Sequence, residues 1–224
     1  MAEVEGSKDL ISVLWSGADI LRSKMDANEY KDYLLGIVFY KYLSDTFLIK
    51  VYDLIYDEKP KSLKVALDAY KEALEDESAE ELKEQIKSEC HYLIEPQLTY
   101  TCFADAARNN AFNRELLQKA FNNIEQSDPL FVDLFTDIDL YSNRLGNGDQ
   151  KQSDTISSLV KEIDKADLLN SDAEILGNAY EYLIGQFASE TGKKAGILYT
   201  TSSFKDINKD CNCRAGKQKG IICI

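Results

Sequence analysis

The residue types best suited to chemistry in this chain of 224 residues are few, and their spacing works against it. His91 is the only histidine. As a general base it would need a nucleophile within reach, and no Ser, Cys or Asp motif surrounds it. Of the five cysteines, Cys211-x-Cys213 could be half of a metal or redox site. No second pair stands at ligand spacing, so the reading fails on ligand count. Cys90 and Cys102 read as reduced, half-buried small hydrophobes. Asp133, Asp137 and Asp139 suggest a calcium loop, but the D-x-D-x-D-G order and its closing Glu are missing. Gly177, Gly185, Gly192 and Gly196 fall on a helical pattern or at its end, not in a G-x-G-x-x-G turn after a strand. These residues make no catalytic, metal or phosphate site.

The elements that carry them read as helices. Ser7 is placed to cap a helix with Leu10, Ile11, Leu14, Ala18 and Leu21 at helical spacing. Asp26 or Asn28 starts a longer one that runs to about Tyr56. Its large side chains (Tyr33, Leu34, Ile37, Val38, Phe39, Tyr42, Leu43, Phe47) cover more than one stripe, which places it near the centre of a domain. Core packing with rim hydrogen bonds explains its tyrosines better than a nucleic-acid stacking platform does. Residues 60–89 alternate apolar positions with dense Glu and Lys, as a solvated amphipathic helix or hairpin would. Pro96 forbids a continuous helix through residues 91–100. Ala111 to Ile124 shows Leu116, Leu117, Ala120 and Phe121 on one face. After the turn at Gly146-Asn147-Gly148, Asp154 and Asp172 are natural caps for a last helical pair, ending near Ala166 and Glu190.

Net charge narrows the function classes. It is −13 overall. The last 28 residues carry +3, which leaves −16 for the rest. Such a surface repels phosphate and is a poor autonomous DNA binder. The N-terminus is polar and acidic, unlike a signal peptide. The most apolar run, Tyr33 to Leu43, is too short to span a bilayer. A cytoplasmic location without membrane attachment is expected.

Three stretches carry a resemblance. Leu14, Trp15, Ala18, Asp19, Leu21 and Arg22 fit LW-x-x-AD-x-LR. EYKDYLLGIVFYKYLSD (Glu29 to Asp45) fits EYK-x-x-x-LG-x-x-F-x-KYLSD. LGNAYEYLIGQFASETGKKAG (Leu176 to Gly196) looks like the approach to a G-E-F-Y-T-P motif, and LFVDLFTDIDLYSNRL (Leu130 to Leu145) is also similar. Together they resemble the modification (methyltransferase) subunits of type I restriction-modification systems, over essentially Lys8 to Gly196.

The resemblance implies an all-α chain: the family's N-terminal helical domain without its Rossmann-like catalytic domain. The full-length family transfers a methyl group from S-adenosylmethionine to adenine N6. It presents the flipped base with an N-P-P-aromatic motif and holds the cofactor with a glycine-rich turn. This chain contains neither motif. Of G-E-F-Y-T-P, only Gly196, Tyr199 and Thr200 match by letter; Tyr199 and Thr200 are the carried-over cofactor-binding positions. The implied partners are a specificity subunit and other modification subunits. A restriction subunit is an optional further partner in that family, and DNA is met only within the complex.

The letters after Gly196 suggest a reason for the poor match. Regrouping the possible codons of Ile197 to Ile224 from each second base permits F-Y-T-P-Q-A-V-S-K-I-L-T-K-I-V-T-A-G-Q-E-N-K-K-G-L-S-V-Y. Restoring two bases after Gly196 supplies the missing Glu. Asp206, Asn208, Asp210, Cys211 and Asn212 have two codons each, so the freedom is limited. If the family's next residues are Tyr-Asp, the written frame meets TGA after Ile224. The expectation is a frameshifted, inactive fragment in three parts: 1–150 as the helical domain, 151–196 as a helical connector, and 197–224 as an out-of-frame, poorly packed tail. The alternative is a stand-alone helical adaptor or decoy that tunes assembly of the complex.

Overall fold

The computed structural model describes residues 2–166, together with the single positions 181 and 185. Among the described residues every regular element is helical and there is no strand. α1 spans Ala2–Arg22, α2 Ala27–Tyr56, α3 Leu63–Ala73 and α4 Ala79–Cys90. α5 spans Tyr100–Arg108, α6 Arg114–Glu125 and α7 Asp149–Ile163. Single 3-10 turns sit at Pro96–Leu98 and Pro129–Phe131.

α2 is the axis of the fold. It has 30 residues, which makes it about 45 Å long. Ile37, Val38, Phe39, Tyr40 and Lys41 are consecutive and all buried. At 100° per residue these five positions pass a full turn, so the helix is enclosed on every side there. α1, α3 and α5 pack on α2, and α7 closes the far side against α1 and α5.

The caps fix where helices begin and end. The Ser62 hydroxyl accepts from Val65 N–H at 3.3 Å, that of Thr99 from Cys102 N–H at 3.4 Å, and the Asn113 amide oxygen from Glu115 N–H at 2.8 Å. Each satisfies a donor that the first turn leaves open. α4 stops at His91, whose φ of 66° is left-handed.

Two expectations need correction. α1 begins at Ala2, so Ser7 lies inside it and is not its cap. α7 begins at Asp149, so Asp154 lies in its second turn, where its carboxylate accepts from the Gln150 amide at 2.9 Å. Residues 60–89 resolve into two helices, the hairpin form of the expectation. α5 has no counterpart in the sequence reading, since its nine residues are too few for a clear period. The helix expected over residues 172–190 lies outside the described residues.

Candidate functional site

Two of the stretches singled out by sequence form one joint. Residues 129–146 make no regular helix beyond the 3-10 turn at Pro129–Phe131. They lie as a strap along α2, antiparallel to it. Phe135 stands 6.4 Å from Phe39 and 6.1 Å from Tyr40, ring to ring, and stacks on Phe121 at 4.2 Å. Ile138 packs on Gly36. Tyr33 donates its hydroxyl to the Asp139 carbonyl at 2.7 Å. Arg144 ion-pairs with Glu29. Lys24, just before α2, donates to the Leu145 carbonyl at 3.2 Å. Positions 29, 33, 36 and 40 recur at helical spacing, so α2 presents one continuous track to the strap.

The KYLSD end of the same motif holds a second segment. Lys41 and Asp45 form a buried ion pair at 2.6 Å, with side chains 3% and 2% exposed. The Lys41 ammonium also sits 5.1 Å over the Tyr100 ring. The Ser44 hydroxyl accepts from Tyr100 N–H at 2.7 Å. Tyrosine hydroxyls satisfy the carbonyls of the irregular chain around Pro96: Tyr40 donates to Leu98 at 2.7 Å, and Tyr70 to Ile94 at 3.1 Å. Tyr92, from that segment, donates back to Leu43 at 3.0 Å. Tyr100 reaches Val160 of α7 at 3.0 Å. Proline has interrupted the helical bonding here, and buried carbonyls need donors from elsewhere. Burial pushes the phenols of Tyr40, Tyr70 and Tyr100 far up, so they stay neutral donors.

Arg114 ties the strap's far end to α7. Its side chain is 7% exposed. It donates to the Leu140 carbonyl at 3.4 Å, to Gln152, and to Asp149 at 3.1 Å, and it lies 4.2 Å over the Tyr141 ring. Asp32 is the other residue that sequence reasoning passed over. It is half-buried beside Lys31 and faces Asp137 of the strap. Burial raises its carboxyl to about 6; Lys31 opposes this rise and Asp137 adds to it. No local sequence pattern marks either residue.

The residues weighed for chemistry have structural surroundings. His91 Nδ1 is 3.6 Å from Asp128, whose other carboxylate oxygen accepts from Leu130 N–H at 2.9 Å. Cys90 is buried and Cys102 half-buried, both as free thiols. Asp139 accepts from Tyr141 N–H at 2.9 Å, and Asp133 occupies a left-handed turn at φ 62°. Among the described residues no group of three His, Cys, Asp or Glu side chains could hold a metal ion. Tyr199, Thr200, Cys211, Cys213, Cys223 and the glycines at 177, 192 and 196 lie outside the described residues. A groove of about 360 Å³ runs between Asn110–Phe112 and the α7 face of Ser153, Ser157 and Lys161. Among the described residues no helix is long and apolar enough to cross a membrane.

The geometry defines an all-helical domain built around one central helix, with polar chemistry turned inward to hold irregular segments. The chain belongs to the HsdM N-terminal domain family, whose model matches residues 10–163. A second family model, N-6 DNA Methylase, matches residues 171–210, a span that runs past Gly196 and includes Tyr199 and Thr200. The chain is 26% identical over 209 residues to the type I restriction enzyme MpnII methylase subunit of Mycoplasma pneumoniae, covering 87% of this chain and 37% of that protein. It is also similar to the crystal structure of a type I restriction-modification system methyltransferase subunit from Streptococcus thermophilus. The TM-score there is 0.79 at 49% identity, over 87% of this chain and 41% of the other. The chain therefore spans about two fifths of the length of the relatives it matches.

Proposed function

We propose that this chain is the helical N-terminal part of a type I modification subunit, that it does not transfer methyl groups by itself, and that it keeps a surface for partner subunits. The single observation that carries the reading is the match to the HsdM N-terminal domain over residues 10–163, which spans α2, the strap and α7. The partners are a specificity subunit and intact modification subunits, with a restriction subunit joining them, and DNA is met inside that assembly.

S-adenosylmethionine is the cofactor that an N6-adenine methyltransferase would use. The described residues do not fit it. Such a cofactor sits where a strand runs into a glycine-rich turn, and among the described residues there is no strand. The groove between Asn110 and Lys161 is walled by helical serines, without a glycine turn. Tyr199 and Thr200 remain the proposed cofactor-proximal positions. Residues 1–150, 151–196 and 197–224 are proposed as domain, connector and out-of-frame tail.

A tritiated methyl-transfer assay with a specificity subunit present tests the inactive reading; turnover overturns it. The second reading, a stand-alone adaptor or decoy with a genuine tail, is favoured by the N-6 DNA Methylase match, which runs past Gly196 to residue 210 in the written frame. Co-purification with the specificity subunit or an intact modification subunit separates the two. A decoy must bind one of them tightly, and an inert fragment need not. The nucleotide sequence across the Gly196 codon tests the tail. A frame restored by two bases that opens onto a glycine-rich turn and an N-P-P motif supports the fragment.

A further inference from the structure

We infer that the groove between Asn110–Phe112 and α7 binds a phosphorylated sugar, free or as part of a mononucleotide, with its phosphate at Lys161 and Ser157 and its hydroxyls toward Ser153 and Asp154.

The groove is set by how residues 108–114 cross α7. Arg108 ion-pairs with Asp164 at the end of α7, and Arg114 with Asp149 at its start. The turn between α5 and α6 is thereby stretched along α7 in the opposite direction, with Asn110 left-handed at φ 55°. Phe112 is half-buried and meets Phe103 edge-on at 6.3 Å, which holds its ring as one wall. The other wall is a single stripe of α7, positions 150, 153, 154, 157, 158 and 161, at helical spacing. The volume of about 360 Å³ falls within the range of small-molecule sites.

The polar side chains of the groove divide in two. Gln150 donates to the Asp154 carboxylate at 2.9 Å, and Ser158 to the Asp154 carbonyl at 2.8 Å. Asn110, Ser153, Ser157 and Lys161 have no side-chain partner among the described residues. A serine inside a helix can return its hydroxyl to the carbonyl four residues back, as Ser158 does. Ser157 does not, although the residue is only 8% exposed. A hydroxyl so deeply set, lining a cavity and left open, is costly until something polar enters.

Charge selects what enters. All four open side chains can donate, and Lys161 is a cation without an ion pair among the described residues, so the complement is an anion rich in acceptors. Asp154 lies seven positions earlier on α7, about 10 Å along the axis. Its carboxylate accepts from Gln150 and keeps lone pairs for a ligand hydroxyl. An anion at one end and hydroxyls at the other describe a sugar phosphate, whose apolar ring face suits the Phe112 wall. The charge of −16 on residues 1–196 repels a polyanion, whereas a single phosphate meets the cation that lines the groove.

The test is an amide NMR titration of the full 224-residue chain with ribose 5-phosphate, AMP, ribose and inorganic phosphate. Both phosphorylated sugars should shift the amides of residues 110–112 and 150–161 saturably, with Kd below about 1 mM, and ribose or phosphate alone should bind about tenfold more weakly or less. Equal affinity for the two esters assigns the sugar phosphate itself as the ligand, and tighter binding of AMP assigns the mononucleotide. Lys161→Gln should weaken binding about tenfold and Ser157→Ala about fivefold. Ser157→Ala should leave thermal unfolding unchanged, since this hydroxyl holds nothing in the free chain. Lys165→Gln removes a lysine that is paired with Glu162 outside the groove, and it should bind as the unmodified chain does. Shifts that do not saturate, phosphate binding as tightly as its sugar ester, or an unchanged Kd in Lys161→Gln would each overturn the site.

Discussion

Ile138 of the strap occupies the space where a side chain on Gly36 would stand, with its Cγ1 at 3.2 Å from the Cβ that any larger residue would add. Glycine is needed at this position for close approach, since its backbone is ordinary helix. Gly36→Ala should lower stability by about 1–3 kcal/mol through overpacking. Pairing it with Ile138→Val should recover part of that loss. Urea denaturation of the two single variants and the double variant measures the coupling, and strict additivity would show that the two residues do not compete for the same space.

The buried pair of Lys41 and Asp45 makes an asymmetric prediction. Replacing Lys41 alone by Met removes the cation beside a carboxylate with 2% side-chain exposure and should destabilise by about 3–5 kcal/mol. Replacing both, as Lys41→Met with Asp45→Leu, should be far milder than the single change, because two apolar groups leave no stranded charge. Thermal unfolding of the three proteins decides it. A double variant as weak as Lys41→Met would mean that the pair is required for more than mutual neutralisation.

Arg114 should be sensitive to shape as well as charge. Its guanidinium joins the strap to α7 and lies 4.2 Å over the Tyr141 ring. Arg114→Lys keeps the charge but loses the planar fork, and should still cost about 1–3 kcal/mol. Exchange or limited proteolysis should report loosening between residues 139 and 152 in this variant, with α3 and α4 unaffected. Equal loosening throughout would contradict the local role given to Arg114.

Tyr40, Tyr70 and Tyr100 should resist alkali. Their phenols are raised by burial. Raised acids favour the folded state below the ordinary tyrosine value near ~10 and lose that contribution only above it. Absorbance titration near pH 11 should show the exposed phenols of the thirteen tyrosines ionising first, and these three only as the chain unfolds. A single smooth transition with the fold intact would contradict the burial of these hydroxyls.

The sequence by itself determined the helical class, the central place of α2 and the family. Helical periodicity and the large side chains between Tyr33 and Leu48 required a helix enclosed on several sides. Pro96 required an interruption of the helical pattern. These properties depend on neighbours a few residues apart, so a linear reading reaches them. The start of α7 at Asp149 and the existence of α5 were decided by packing against α1 and α2, which a short weak pattern does not reveal. The pairing of Gly36 with Ile138 and of Tyr33 with Asp139 joins residues about a hundred positions apart. Only the tertiary structure brings them together, and only there do a glycine and an arginine without a motif acquire the contacts that give them a role.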